Sequence, residues 1–202
     1  MIVVDVETTG LNPKKHSIVS IGAVEFDDPE NSFYVACRVF DGADVSDEAL
    51  AINGFSRESL ANPRKPTLES AVKSLLEWSA NCNYRTIAGE NPTFDRDFLR
   101  ASAERYNLPW TLGRRTVDLH SVSYAKHLEL GKHNKLPLKD GVSELRADAT
   151  YSFVGIPEEP KPHHALNGAK WEAEAFSRLL YGKSLLPEFT HLPVPDYLRR
   201  GV

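Results

Sequence analysis

The feature that most constrains this chain is a change of period partway along it. From Ile2 to Phe40, apolar residues come in short β-branched or alternating runs. "IVVDV" (Ile2 to Val6) ends at "TTG", "SIVSIGAVEF" spans Ser17 to Phe26, and "SFYVACRVF" sets Phe33, Val35, Cys37 and Val39 on one side. These read as three strands, and their short connections predict an antiparallel meander. A loop through "GADVSDEALAINGFSRESL" follows. From Leu68 onward the apolar spacing becomes helical: Leu68, Val72, Leu75, Leu76 and Ser79 form one stripe. "RTIAG" and "RTVDL" read as two further short strands. Between them Asn91-Pro92 opens a helix to about Tyr106, with Asn91 as N-cap and Pro92 at the first helical position. Helices are predicted from His120 to Leu128, through Val142, Leu145, Ala149 and Phe153, and through Ala165, Ala169, Ala173, Phe176 and Leu180. The order implies an α/β fold with a mixed five-stranded sheet covered by helices.

With 202 residues and 41% hydrophobic content, the chain suits one compact domain, 1–182, followed by a Pro-rich extension, 183–202. Cys37 and Cys82 lack metal or redox spacing and read as buried thiols. No apolar run approaches the roughly 20 residues of a membrane span, and no basic leader precedes "MIVVDVETTG". These features predict a cytoplasmic protein with no membrane partner. A net charge of −4 excludes a general polyanion binder, although divalent cations can neutralise carboxylates locally.

The apolar first strand ends in two acids, Asp5 and Glu7. Strand alternation puts both on one face, about 6.5 Å apart. They would repel unless a positive group sat between them, and a hard divalent cation would suit. A strand end whose acids simply meet water is equally consistent with these residues. Asp95 lies in the first turn of its helix, where the helix dipole favours an acid, and Asp97 points elsewhere. His163 and His164 precede the last helix. A neutral histidine beside a metal-bound water can take a proton from it as it attacks. Gly168, five residues after His163, costs a helix about 1 kcal/mol relative to alanine. The sequence suggests no packing reason for it.

Together these segments resemble the DEDDh exonucleases, the family of polymerase proofreading subunits, ribonuclease T and oligoribonuclease. "DVETTG" resembles its motif D-x-E-T-T-G, "NPTFD" its N-x-x-F-D and "HHALNGA" its H-x-A-L-x-D-A. The resemblance implies a ribonuclease H-like fold and hydrolysis of phosphodiesters at the 3' end of single-stranded DNA or RNA, using two Mg²⁺ or Mn²⁺ ions. It implies that Asp5 bridges both metals, Glu7 holds the one that binds water, Asp95 serves the other, and His163 is the general base. Substrate contacts fall to Thr8, Ile52, Asn53, Phe55 and Asn91, with "AINGFS" similar to the family loop beside the terminal nucleotide. Gly168 occupies the position of the family's fourth acid, a direct metal ligand, and so predicts impaired catalysis.

Asn167 points about 100° away on the helix wheel. Glu172 lies one turn further along the face of Gly168, and its side chain leans back toward the N-terminus. Its plainer reading is a solvated or lysine-paired residue. Arg114, Arg115, Lys132, Lys135, Arg199 and Arg200 could meet phosphates or simply form a solvated surface. Trp78 and Trp110 read as packing residues. The alternative function is a catalytically inactive nucleic-acid-binding or interaction module of the same fold.

Overall fold

A computed structural model describes residues 1–199, apart from the side chain of His133. Arg200 lies outside the described residues. The first three strands form the expected meander: β1 (Ile2–Thr8), β2 (Ile18–Glu25) and β3 (Ser32–Ala36), each antiparallel to the one before. β4 (Ile87–Gly89) runs parallel to β1, and β5 (Thr116–Asp118) parallel to β4, giving the order β3-β2-β1-β4-β5.

Strand alternation divides the molecule into two apolar layers. Ile2, Val4 and Val6 of β1 pack with α3 (Leu68–Ala80) and α4 (Pro92–Arg105), through Leu75, Phe98 and Leu99. Val3 points the other way, to α5 (Leu119–Glu129), α6 (Ala147–Val154) and α7 (Ala165–Tyr181), through Leu119, Tyr151, Ala169 and Phe176. Asp5 and Glu7 share the parity of Val3, so they face α7. That helix presents Ala165, Gly168, Ala169 and Ala173 to the sheet, all buried. It lies so close that a Cβ on Gly22, the β2 partner of Asp5, would overlap the Ala165 backbone. Glycine at 22 is what lets the N-terminus of α7 rest on the strand that carries the acids.

Two stretches differ from expectation. The loop after β3 contains α1 (Asp47–Asn53) and α2 (Arg57–Leu60), capped by the Ser46 and Ser56 side chains. Helices this short show no readable stripe, and their caps define them instead. Val142 does not begin a helix. It lies in a small hairpin, β6 (Leu138–Lys139) with β7 (Val142–Ser143), and is 65% exposed. Asp140 and Gly141 both have positive φ, 52° and 80°, the two-residue turn that an Asp-Gly pair favours.

The Pro-rich stretch after Gly182 is built of short 3₁₀ turns, and Leu186, Phe189 and Leu198 are buried beside α7. Cys37 and Cys82 are buried and unpaired, and Trp78 and Trp110 pack against the first apolar layer. Among the described residues, no helix is long and apolar enough to cross a membrane.

Candidate active site

The acids gather where β1 leaves the sheet. Register between β1 and β2 slips between Glu7 and Thr8, an irregularity of the kind that re-aims side chains at strand ends. The parallel neighbour β4 stops at Gly89, and the chain turns through Asn91 into α4. Asn91 adopts a left-handed conformation (φ 48°), and its side chain makes no capping bond; the Asn91 oxygen accepts from the Thr93 hydroxyl instead. Asn91 thus holds the N-cap position expected of it, without the side-chain capping bond. The turn aims Asp95 back at β1, where its Oδ1 accepts the Val6 N–H at 2.9 Å.

Asp95 and Glu7 are 4% and 8% exposed. Burial, offset in part by the Val6 N–H and reinforced by Glu7, pushes the Asp95 carboxyl up to about 7. Burial, then Glu159, pushes Glu7 up to about 7. Asp5 is raised well above the usual carboxylate range by burial, then by Asp95, Glu7 and Glu159. Among the described residues no cationic side chain offsets these acids.

His163 stands at the rim with its side chain 40% exposed, and its Nδ1 is 3.4 Å from Oε2 of Glu159. The other Glu159 oxygen accepts the His164 N–H at 3.1 Å. The His163 N–H donates to the Ile52 carbonyl at 3.1 Å, fastening this segment to α1. Glu159 is a site residue that the motifs do not reveal. In "PEEP" nothing periodic distinguishes it from Glu158, which is exposed while Glu159 turns inward.

Gly168 lies directly against Asp5. A Cβ there would overlap the Asp5 carboxylate. Glu172 is neither solvated nor paired with a lysine: it is 6% exposed, and its Oε2 has no hydrogen-bond partner. Its carboxyl is raised well above the usual range by burial, then by Asp5 and Asp95.

An open cleft of about 300 Å³ adjoins Glu7, lined by Thr8, Leu11, Ile52, Asn53 and Phe94 among others. Ile52 and Leu11 are 56% and 83% exposed at its mouth. The Asn53 amide is engaged internally, donating to the Thr8 carbonyl and accepting the Phe55 N–H; it holds α1 onto the end of β1. Phe55 lies outside this cleft, its ring beneath the Lys65 ammonium at 4.6 Å. Asn91 is exposed beyond the acids, its N–H donating to Asp118 at 3.3 Å. Phe94 lines this cleft and also packs against the first apolar layer, beside Phe98.

Hard oxygen donors gathered without a cationic neighbour fit a divalent cation. Among the described residues, no three such side chains already stand in ligand geometry around one point.

Comparisons with known proteins bear on the family and the fold. Ribonuclease T of Cronobacter sakazakii is 30% identical over 122 residues, 53% of either chain, so this chain spans about half the length of the first curated relatives it matches. Ribonuclease T of Histophilus somni is 26% identical over 208 residues, 96% of this chain and 88% of its own. Among solved structures, the nuclease domain of 3'hExo, a DEDDh family member bound to rAMP, superposes with a TM-score of 0.66 at 17% identity, covering 96% of this chain and 95% of that one. Exonuclease I of E. coli, in complex with a dT13 oligonucleotide, gives 0.68 at 17% identity over 88% of this chain and 40% of its own. The 3'-5' exoribonuclease Rv2179c-like domain matches residues 1–180. The chain belongs to that family of DEDDh-type 3'-5' exonucleases.

Proposed function

We propose that this chain hydrolyses phosphodiester bonds at the 3' end of single-stranded RNA or DNA, one nucleotide at a time, with Mg²⁺ or Mn²⁺. The observation that carries this reading is the gathering of Asp5, Glu7 and Asp95 at the end of β1, with His163 at the rim. Asp5, Glu7 and Asp95 would hold the ions. Divalent ions so held activate water and stabilise charge on the attacking and leaving oxygens of an in-line displacement.

The protein's own part in the reaction is placement and proton transfer. His163 accepts the proton of the attacking water, and Glu159 holds the imidazole through Nδ1. The terminal nucleotide takes the cleft beside Glu7, where Leu11, Ile52 and Phe94 offer apolar surface to a base and Thr8 and Asn53 shape the floor. Phe55 and Asn91 flank it and would meet the nucleotides behind the terminal one. The missing acid at Gly168 would impair catalysis unless another carboxylate takes its place.

The test uses RNA and DNA oligonucleotides labelled at either end, with Mg²⁺ or Mn²⁺. The 5'-labelled strand should shorten stepwise while the 3'-labelled strand releases mononucleotide at once, and Asp5→Asn should abolish both. Binding of the oligonucleotide without cleavage, under either metal, would instead establish the non-catalytic binding module.

A further inference from the structure

On α7 the helix turn at position 168 carries no acid, yet the same helix buries a carboxylate one turn further on. That carboxylate is Glu172. Residues 168 and 172 are one turn apart on the same face, and helical side chains lean toward the N-terminus. The longer side chain of Glu172 therefore reaches back toward the ground a residue at 168 would cover.

Two glycines leave room in this pocket. At Gly168, the space a Cβ would take is filled by the Asp5 carboxylate. At Gly89, the last residue of β4, a Cβ would stand 3.0 Å from Glu172 Oε2 and 3.1 Å from the Val4 carbonyl oxygen. Glu172 Oε2 is thus seated beside the middle of β1 and the last residue of β4; it has no hydrogen-bond partner, although the Glu90 N–H bonds the same carboxylate. Among the described residues, no cationic side chain acts on it. A buried, unpartnered carboxylate oxygen beside two further acids is tolerable only with a positive charge among them or a proton on one of them.

We propose that Glu172 supplies the fourth carboxylate of the metal site, replacing from one helical turn further on the acid that position 168 lacks. This rests on the metal-dependent reading of the same site. Asp5 and Glu172 would then serve the site together, and Gly168 leaves the Asp5 carboxylate its place. If Glu172 were instead only a protonated packing residue, its neutral isostere would serve equally well.

The test is direct titration of Mn²⁺ into the full chain, followed by calorimetry or by the EPR signal of free Mn²⁺, with no substrate present. Wild type binds Mn²⁺, and Asp5→Asn loses that binding; if wild type binds none, the metal-dependent reading fails, and this inference with it. Given binding, Glu172→Gln should weaken at least one ion by tenfold or more, with the circular dichroism of a folded chain. Should Glu172→Gln not fold, Glu172→Asp, which draws the carboxylate back by one methylene, should weaken binding in the same direction. Wild-type affinity in the folded Glu172 variant, alongside loss in Asp5→Asn, overturns the proposal and leaves the metal-dependent reading standing. Gly168→Asp alone should not tighten Mn²⁺; a tenfold tightening would show that the site lacks a ligand, and would also overturn it.

Discussion

The Oδ1 of Asp95 accepts the backbone N–H of Val6 at 2.9 Å, so the first turn of α4 is tied to β1 between the two strand acids. One carboxyl thereby fixes the strand end and contributes charge to the site, and substitutions can separate the two. Asp95→Asn keeps an oxygen for Val6 and removes the charge. Its melting temperature in EDTA should equal or exceed that of wild type, while exonuclease activity falls about 100-fold or more. Asp95→Ala should lose the same activity and also leave a buried N–H unpaired, at about 1–3 kcal/mol. Thermal denaturation of the two variants in EDTA checks the division.

The same acids set a pH dependence. Glu7 and Asp95 rise on folding from 4.5 and 3.8 to about 7. Between those values the folded chain holds more protons than the unfolded one, so stability falls as pH rises. The contribution is complete below about pH 4 and lost as pH climbs through about 7. In EDTA the melting temperature should decline from pH 5 to pH 8. Mn²⁺ binds the deprotonated carboxylates and should stabilise the chain more at pH 8 than at pH 5. A melting temperature that rises with pH in EDTA would contradict the assignment of repelling, buried acids.

Glu159 offers a sharper test of the base. A carboxylate 3.4 Å from His163 Nδ1 favours the tautomer with its proton on that nitrogen, which would leave Nε2 to accept one. In Glu159→Gln the amide oxygen can still accept the His164 N–H, but the NH₂ faces Nδ1 and favours the opposite tautomer. The turnover number should drop about 100-fold, within the range general-base catalysis supplies. KM and Mn²⁺ affinity should hardly move. A turnover number equal to that of wild type would remove Glu159 from the mechanism.

The sequence makes some of this legible for definable reasons. Period-two alternation puts Asp5 and Glu7 on one face whatever the rest of the chain does, and Pro92 marks the start of α4, so Asp95 falls into its first turn. Glu159 sits on an aperiodic loop, where only the three-dimensional path turns one of two adjacent glutamates inward. Glu172 belongs to the buried stripe of α7, but an unpaired carboxylate is costly to bury, so a helix pattern assigns it to solvent. Its true place depends on Gly22 and Gly168 letting α7 lie against β1 and β2. The Asp140-Gly141 hairpin was readable from its turn residues, and helical spacing through Val142 concealed it.

Arg178 carries the last prediction. It and Glu174 are fully buried one turn apart on α7, with Nε 2.6 Å from Oε1. The guanidinium also donates to the carbonyls of Val154, Phe189 and Leu192 at 3.1, 3.1 and 3.0 Å. Glu174 in turn accepts the N–H groups of Leu185 and Leu186 at 2.8 and 3.0 Å. The pair therefore fastens the C-terminal stretch to the end of α6 and to α7. Arg178→Met should cost about 3–5 kcal/mol, because Glu174 keeps a buried charge without its partner. Replacing a buried ion pair as a unit is often neutral, yet Glu174→Leu with Arg178→Met should not recover here, because the Val154 and Leu192 carbonyls and the two N–H groups lose their partners. Urea denaturation followed by circular dichroism measures both. A double variant as stable as wild type would show that the pair binds only itself and that the C-terminal stretch is held by Leu186, Phe189 and Leu198 alone.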